Sequence, residues 1–165
     1  MIGFINNSRM MRVWMRAIVQ RISLGEVRVD DLVVGKAEVG LMVLVGFNHE
    51  DIKSDKGLKY IQDKILNLRI FDDDQGKMNL SIQDIEGDLL IVPNFTLYGD
   101  CRKGRRPGFS DGAPVEAARK LYDKFLIELL TAYTSVASGI FQADMAVDII
   151  NNGPVTLVLD SDKIL

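Results

Sequence analysis

The stretch GLMVLVG at residues 40–46 is a continuous apolar run between two glycines. A short run without polar alternation indicates a strand that is buried on both faces. The stretch LLIV at residues 89–92 is a second such run, and it predicts a strand that continues through PNFTLY at residues 93–98. Since proline cannot donate to a central ladder, Pro93 indicates an edge, a bulge or a break there.

The segments around these two runs predict further strands and two helices. MRAIVQRI (15–22), VRVD (27–30), residues 141–150 and residues 155–159 have strand patterns, and NNGP at 151–154 predicts a tight turn. Apolar residues at helical spacing predict a helix over about 58–68, with Ser54 or Asp55 as N-cap, and a second helix from Pro114 to about Tyr133. The predicted apolar stripe of the second helix comprises Val115, Ala118, Leu121, Tyr122, Phe125 and Leu129.

The order strands, helix, strands, helix, strands indicates a mixed α/β protein, because adjacent strands are too numerous for strict βαβ alternation. The chain has 165 residues, and no repeat, low-complexity tract or linker divides it. One domain is therefore expected.

Composition excludes several classes of protein. A hydrophobic fraction of 47% with 26% charged residues excludes wholesale disorder. The net charge of −3 argues against a protein that coats duplex DNA, so no DNA partner is predicted. The single cysteine, Cys101, excludes an intrachain disulfide, and the single histidine, His49, excludes zinc sites built on several histidines. No metal, no cofactor and no membrane segment are predicted.

Residues 1–14, MIGFINNSRMMRVW, are predicted to be a poorly ordered tail ahead of a domain at 15–165. Their apolar run is broken too early for a signal peptide, and a transit peptide is the alternative.

The familiar catalytic motifs are absent: the sequence has no GxSxG elbow, Walker A loop, GxGxxG after a strand, or HExxH. Three local features remain. RKGRR at 102–106 is either a solvated loop or a phosphate-contacting patch. Phe95-Thr96 lies at the end of a buried strand, where the threonine is either structural or part of a site, and Gly153-Pro154 predicts a turn.

Several motifs in order resemble the D-aminoacyl-tRNA deacylase (D-tyrosyl-tRNA deacylase) family. They span residues 15–160 and comprise MRAIVQR (15–21), NLRIF (67–71), GKMNL (76–80), FTLY (95–98), RKGRRP (102–107), ADM (143–145) and NNGPVT (151–156). The resemblance implies one compact α/β domain whose mixed, largely antiparallel sheets curl into a barrel-like core with two main helices packed outside. It also implies a cytoplasmic homodimer that hydrolyses the ester of D-aminoacyl-tRNA, and of glycine mischarged on tRNA. The alternative is a non-catalytic module that binds the tRNA acceptor end.

The resemblance also implies the site residues. The family's Ser-Gln-Phe-Thr motif corresponds to residues 93–96, where Phe95 and Thr96 match and Pro93 and Asn94 depart. Catalytic roles are therefore expected for Asn94, Phe95 and Thr96, although asparagine is one methylene shorter than glutamine and proline lacks an N–H. Family mechanisms use either the threonine hydroxyl or the adenosine 2′-OH. The second is favoured here, since no base lies near Thr96 in sequence.

Substrate binding and chirality checking are implied for a second set of residues. The family's Gly-Pro bond is cis and enters the partner subunit's pocket, which assigns that role to Gly153 and Pro154. Arg21, Phe141 and Met145 are expected to help bind the substrate. Contacts with tRNA are expected from Arg102, Lys103, Arg105 and Arg106.

Overall fold

The computed structural model describes residues 15–163. The predicted N-terminal tail, residues 1–14, lies outside the described residues. The elements in chain order are β1 Arg16–Val29, β2 Leu32–Ala37, β3 Gly40–Gly46, α1 Lys56–Asn67, β4 Phe71–Asp72, β5 Met78–Leu80, β6 Asp88–Pro93, a 3₁₀ helix Phe95–Tyr98, α2 Val115–Ala132, β7 Val136–Ser138 and β8 Ala146–Asp160.

One curled sheet forms the centre of the fold. Its strand order is β2-β1-β3-β6-β7, and β8 pairs along the other edge of β1. The β3–β6 and β6–β7 pairs are parallel, whereas β1 is antiparallel to β2, β3 and β8. The sheet nearly closes where β2 approaches β7, since a Cβ on Gly35 would lie 2.7 Å from the Ser138 carbonyl oxygen. The predicted mixed, largely antiparallel and barrel-like α/β fold is confirmed.

The two apolar runs are buried on both faces, as predicted. Leu41 and Val43 of β3 pack in the larger core with residues of both helices, whereas Met42 packs in a smaller core inside the curl of the sheet. Strand β6 alternates in the same way, with Ile91 on the helix side and Leu90 on the inner side. The period of two along each strand therefore supplies both cores.

Both helices lie where the apolar spacing predicts them, with one residue misplaced. Val115 is 50% exposed, so its assignment to the buried stripe of α2 was wrong. It opens the first turn, ahead of the buried face that begins at Ala118. Asp55 is the N-cap residue of α1, but its side chain makes no capping hydrogen bond.

Several predicted strand boundaries were also wrong. The segments at 15–22 and 27–30 belong to one continuous strand, β1, and the strand predicted from residue 141 begins only at Ala146. The strand of residues 89–92 ends at Pro93 instead of continuing to Tyr98, and a 3₁₀ helix follows. Residues 151–154 form an irregularity inside β8 instead of a turn between two strands. There Thr156 is opposite Gln20 while Asn151 is opposite Ile22, so the intervening residues of β8 bulge from the ladder.

Candidate active site

The chain turns sharply after β6, at residues 93–96, and we call this turn the corner. Asn94 stabilises it by hydrogen bonds. Its N–H donates to the Val45 carbonyl (2.8 Å), which continues the pairing with β3. Its side-chain Oδ1 accepts hydrogen bonds from the Thr96 N–H (3.1 Å) and from the Thr96 hydroxyl. Asparagine therefore acts as the N-cap of the 3₁₀ helix, a position that favours a short side-chain oxygen acceptor.

The corner leaves one backbone donor available. Pro93 has no N–H, and the N–H groups of Asn94 and Thr96 are used as described. The Phe95 N–H makes no hydrogen bond with the residues of the described chain. The Thr96 hydroxyl donates to an amide oxygen, which cannot take its proton, so this geometry does not activate Thr96 as a nucleophile.

A cavity of about 660 Å³ adjoins the corner and is mostly apolar. Phe95 is 65% exposed, and its ring packs edge-on against Phe109 with the centroids 5.1 Å apart. Of the residues predicted for the site, Asn94, Phe95, Phe141 and Met145 line this cavity together, whereas Thr96 only adjoins it through Phe95. The remaining lining comes from Pro93 and from residues that the sequence did not single out for the site: His49, Phe109, Ser110, Gly112, Ala113, Pro114, Val115, Ala118, Gln142 and Ala143.

The Gly153–Pro154 peptide bond is cis, as predicted. Both residues are exposed, and they lie beside Arg21, whose buried guanidinium donates to the carbonyls of Asn152 (Nε, 3.2 Å) and Ile70 (Nη1, 2.8 Å). Within one chain this segment is remote from the corner after β6. Arg16 contacts the corner through the Leu97 carbonyl, and Arg21 lies five residues further along β1, about 16 Å away.

The predicted basic patch divides into two parts. The Arg102 guanidinium donates to both carboxylate oxygens of Asp100, at 2.7 and 2.8 Å, and this pairing lowers the pKa of Asp100 to about 2. Lys103, Arg105 and Arg106 are exposed and form no ion pair with any described residue. Arg102 is therefore neutralised locally, and the other three cations remain available to a ligand.

Within residues 15–163, no three His, Cys, Asp or Glu side chains lie close enough together to hold a metal ion. None of the helices described there is long and apolar enough to cross a membrane. Cys101 is exposed with a free thiol, and His49 Nε2 lies 3.3 Å from the Ser110 carbonyl at the rim of the cavity.

Known proteins match this chain over most of its length. The family model described as D-Tyr-tRNA(Tyr) deacylase matches residues 18–160. The D-aminoacyl-tRNA deacylase of Thermosipho africanus is 53% identical over 150 residues, which are 91% of this chain and 99% of that protein. Its counterpart in Desulforamulus reducens is 54% identical over 149 residues, with 90% and 99% of the two chains covered.

Two solved structures share the fold. The c-Myc DNA unwinding element binding protein superposes with a TM-score of 0.82 at 37% identity, covering 87% of this chain and 97% of its own. A probable eukaryotic D-amino acid tRNA deacylase has a TM-score of 0.77 at 23% identity, with 88% and 98% covered, and at that identity it supports the fold alone. The family model and the bacterial relatives cover nearly the whole domain, and from them we conclude that this chain belongs to the D-Tyr-tRNA(Tyr) deacylase family.

Proposed function

We propose that the protein hydrolyses the ester bond of D-aminoacyl-tRNA, releasing the D-amino acid and reusable tRNA. The enzyme class, a hydrolase of ester bonds, follows from membership of the deacylase family. The observation that carries the proposal is the corner after β6, where the Phe95 N–H lies beside an apolar cavity and has no hydrogen-bond partner among the described residues.

In this proposal the corner stabilises the transition state instead of supplying a base. An aminoacyl ester is already activated, so positioning and oxyanion stabilisation contribute more than strong base catalysis. Water attacks the ester carbonyl, the Phe95 N–H binds the developing oxyanion, and the bond to the ribose 3′-oxygen breaks. The adenosine 2′-OH accepts a proton from the attacking water and passes its own proton to the leaving 3′-oxygen. The Thr96 hydroxyl is not assigned this role, because it already donates to Asn94.

The aromatic lining of the cavity suits the 3′-terminal adenosine. Exposed aromatic side chains favour stacking on an unpaired base, and Phe95, Phe109 and Phe141 line this cavity. The cations of Lys103, Arg105 and Arg106 lie on the same loop as Phe109, and they contact the phosphates of the acceptor end in this proposal. Arg102 contributes less, since it is paired with Asp100.

Selection of D-amino acids is assigned to Gly153 and Pro154 of a second copy of the chain. Because these residues are remote from Thr96 within one chain, the filter requires a homodimer in which each copy completes the other's site. Carbonyls of this segment hold the amino group, and an L side chain meets the Gly-Pro wall. Glycine has no side chain to clash, so mischarged glycyl-tRNA is also a substrate. The reaction takes place in the cytoplasm.

The test compares D-tyrosyl-tRNA with L-tyrosyl-tRNA and follows loss of the ester. Rapid loss from the D form alone supports the proposal. If neither ester is lost while the tRNA still binds, the protein is a non-catalytic module for the acceptor end.

A further inference from the structure

One wall of the cavity is held by a side chain outside the motifs of the family. Arg119 lies on α2, half-buried, and its guanidinium carbon is 4.9 Å from the centroid of the Phe141 ring. The same guanidinium donates to Oε1 of Gln142. Phe141 and Gln142 both line the cavity. One planar cation therefore contacts two consecutive residues of the wall, by stacking on one and by a hydrogen bond to the other.

Gln142 occupies a backbone conformation that glycine adopts more easily. Residue 142 has a φ of +66° in a turn closed by the Ala143 N–H and the Ile140 carbonyl (3.2 Å). Glycine suits this left-handed conformation, and a long side chain such as glutamine is disfavoured there. The contact with Arg119 gives this glutamine a task that glycine cannot perform.

The ring of Phe141 is also supported from inside the protein. It packs against Tyr122 with the centroids 5.9 Å apart. The Tyr122 hydroxyl lies 3.1 Å from the carbonyl oxygens of both Ile91 and Gly139, which ties it to the sheet. Arg119 and Tyr122 together orient the ring of Phe141 from two side chains of α2.

We propose that Arg119 is a positioning residue for the terminal base of the tRNA, an inference that rests on the proposed deacylase function. It fixes the Phe141 ring and the Gln142 side chain in the cavity wall that contacts the base, so that little of the protein has to become ordered when the acceptor end binds. A wall ordered in advance improves affinity by lowering the entropy lost on binding. Loss of the contact therefore raises KM for aminoacyl-tRNA and leaves kcat nearly unchanged.

The test uses Arg119→Lys and Gln142→Gly with D-tyrosyl-tRNA as substrate. We expect each variant to raise KM about five-fold, because lysine keeps the charge but lacks the planar fork and glycine removes the acceptor. Gln142→Gly should also raise the Tm, since glycine relieves the left-handed backbone. A purely structural role would raise KM only in a variant whose Tm falls. The double variant should raise KM no more than the larger single change, since both single changes remove the same hydrogen bond between Arg119 and Gln142.

The matched control is Lys120→Gln, which removes an exposed cation from the next position of α2 and should leave KM unchanged. Unchanged KM in both Arg119→Lys and Gln142→Gly would overturn the inference while wild-type deacylation stands. Normal KM in Arg119→Lys with a reduced salt dependence in Arg119→Gln would also overturn it, because Arg119 would then be a phosphate ligand. Wild-type protein without deacylase activity would instead reject the proposed function itself.

Discussion

Asn94 determines the hydrogen bonding of the corner after β6. Its one side-chain oxygen binds both the N–H and the hydroxyl of Thr96. Asparagine is shorter than the family's glutamine, and here it is used locally as a cap. Among the described residues, the Phe95 N–H is then the one backbone donor of the corner without a hydrogen-bond partner.

The first prediction separates the two roles of Thr96. Thr96→Val keeps the shape and the backbone N–H but removes the hydroxyl, so we expect kcat to stay within about three-fold of wild type. Asn94→Ala removes both hydrogen bonds to Thr96, so the backbone that carries the Phe95 N–H is no longer fixed. This change should lower kcat about 10²-fold, the usual effect of disturbing an oxyanion donor. Single-turnover deacylation of D-tyrosyl-tRNA measures both. If Thr96→Val alone abolishes turnover, the threonine hydroxyl takes part in the reaction.

The long loop between the 3₁₀ helix and α2 is closed at its base by backbone hydrogen bonds. Its two sides are joined where Asp100 and Gly108 exchange backbone hydrogen bonds of 2.7 and 3.0 Å. Arg102 is bound to Asp100 at this base, whereas Arg105 and Arg106 lie beyond it without ion pairs to the described residues. Arg105 and Arg106 are therefore better placed to bind a phosphate than Arg102, whose charge is neutralised by Asp100.

The second prediction tests this difference. Replacing Arg105 and Arg106 by Ala should raise KM for aminoacyl-tRNA and reduce the slope of log KM against log salt by about 1 to 2, because two phosphate contacts are lost. Arg102→Ala serves as the comparison and should change the slope less, because Asp100 already neutralises Arg102. Stability should change little in either case, as these side chains are exposed. An equal slope in all three proteins would indicate a solvated loop.

The segment between β3 and α1 contains a buried carboxyl that reaches the start of β1. Asp51 accepts hydrogen bonds from the backbone N–H groups of Met15 (3.1 Å) and Asn48 (2.9 Å). Burial raises its pKa from 3.8 to about 6. Because the folded state binds this proton more tightly than the unfolded state, this carboxyl favours folding most below about pH 4, and that contribution is lost as the pH rises toward 6.

The third prediction concerns the loss of this stabilising contribution of Asp51 as the pH rises. Asp51→Asn cannot ionise, so its free energy of unfolding relative to wild type should rise by about 2 to 3 kcal/mol between about pH 4 and pH 7. Urea unfolding at several pH values measures it. Asp55→Asn should move in the opposite direction, because the hydrogen bond from Lys124 lowers the pKa of Asp55. A pH-independent difference for Asp51→Asn would contradict the prediction.

In the proposed dimer, each chain carries only part of the site. The corner with Asn94 and the segment with Gly153 lie at opposite ends of the β1–β3 pairing, and β8 pairs only with β1 among the described strands. A site that needs both parts must therefore be assembled from two copies with closed two-fold symmetry.

The fourth prediction tests this assembly by mixing two inactive variants. Gly153→Ala should lose activity and some stability, since its φ is +122° and a Cβ would lie 3.0 Å from an Arg21 nitrogen. Co-refolded Asn94→Ala and Gly153→Ala chains should recover about a quarter of the wild-type sites, because half of each mixed dimer's sites carry neither change. Sedimentation should show a dimer. No recovery from a confirmed mixed dimer would place the whole site within one chain.

The sequence by itself determined the secondary structure around the core. The runs at 40–46 and 89–92 predicted strands buried on both faces, and the stripe from Ala118 to Leu129 predicted α2, because hydrophobic periodicity is a local property of the chain. Local motifs were also sufficient for the resemblance to the family and for the expected cis bond at Gly153–Pro154.

The tertiary structure alone decided which residues meet. Phe95 shares its cavity with Phe141 and Met145, about 46 to 50 positions away, because α2 and the turn before β8 return to the end of β6. Arg119 has no sequence signal, since its contacts depend on a left-handed backbone at Gln142. The bulge in β8 and the neutralised Arg102 were likewise invisible, because ladder register and side-chain pairing depend on the geometry of neighbouring strands and loops and not on residue type.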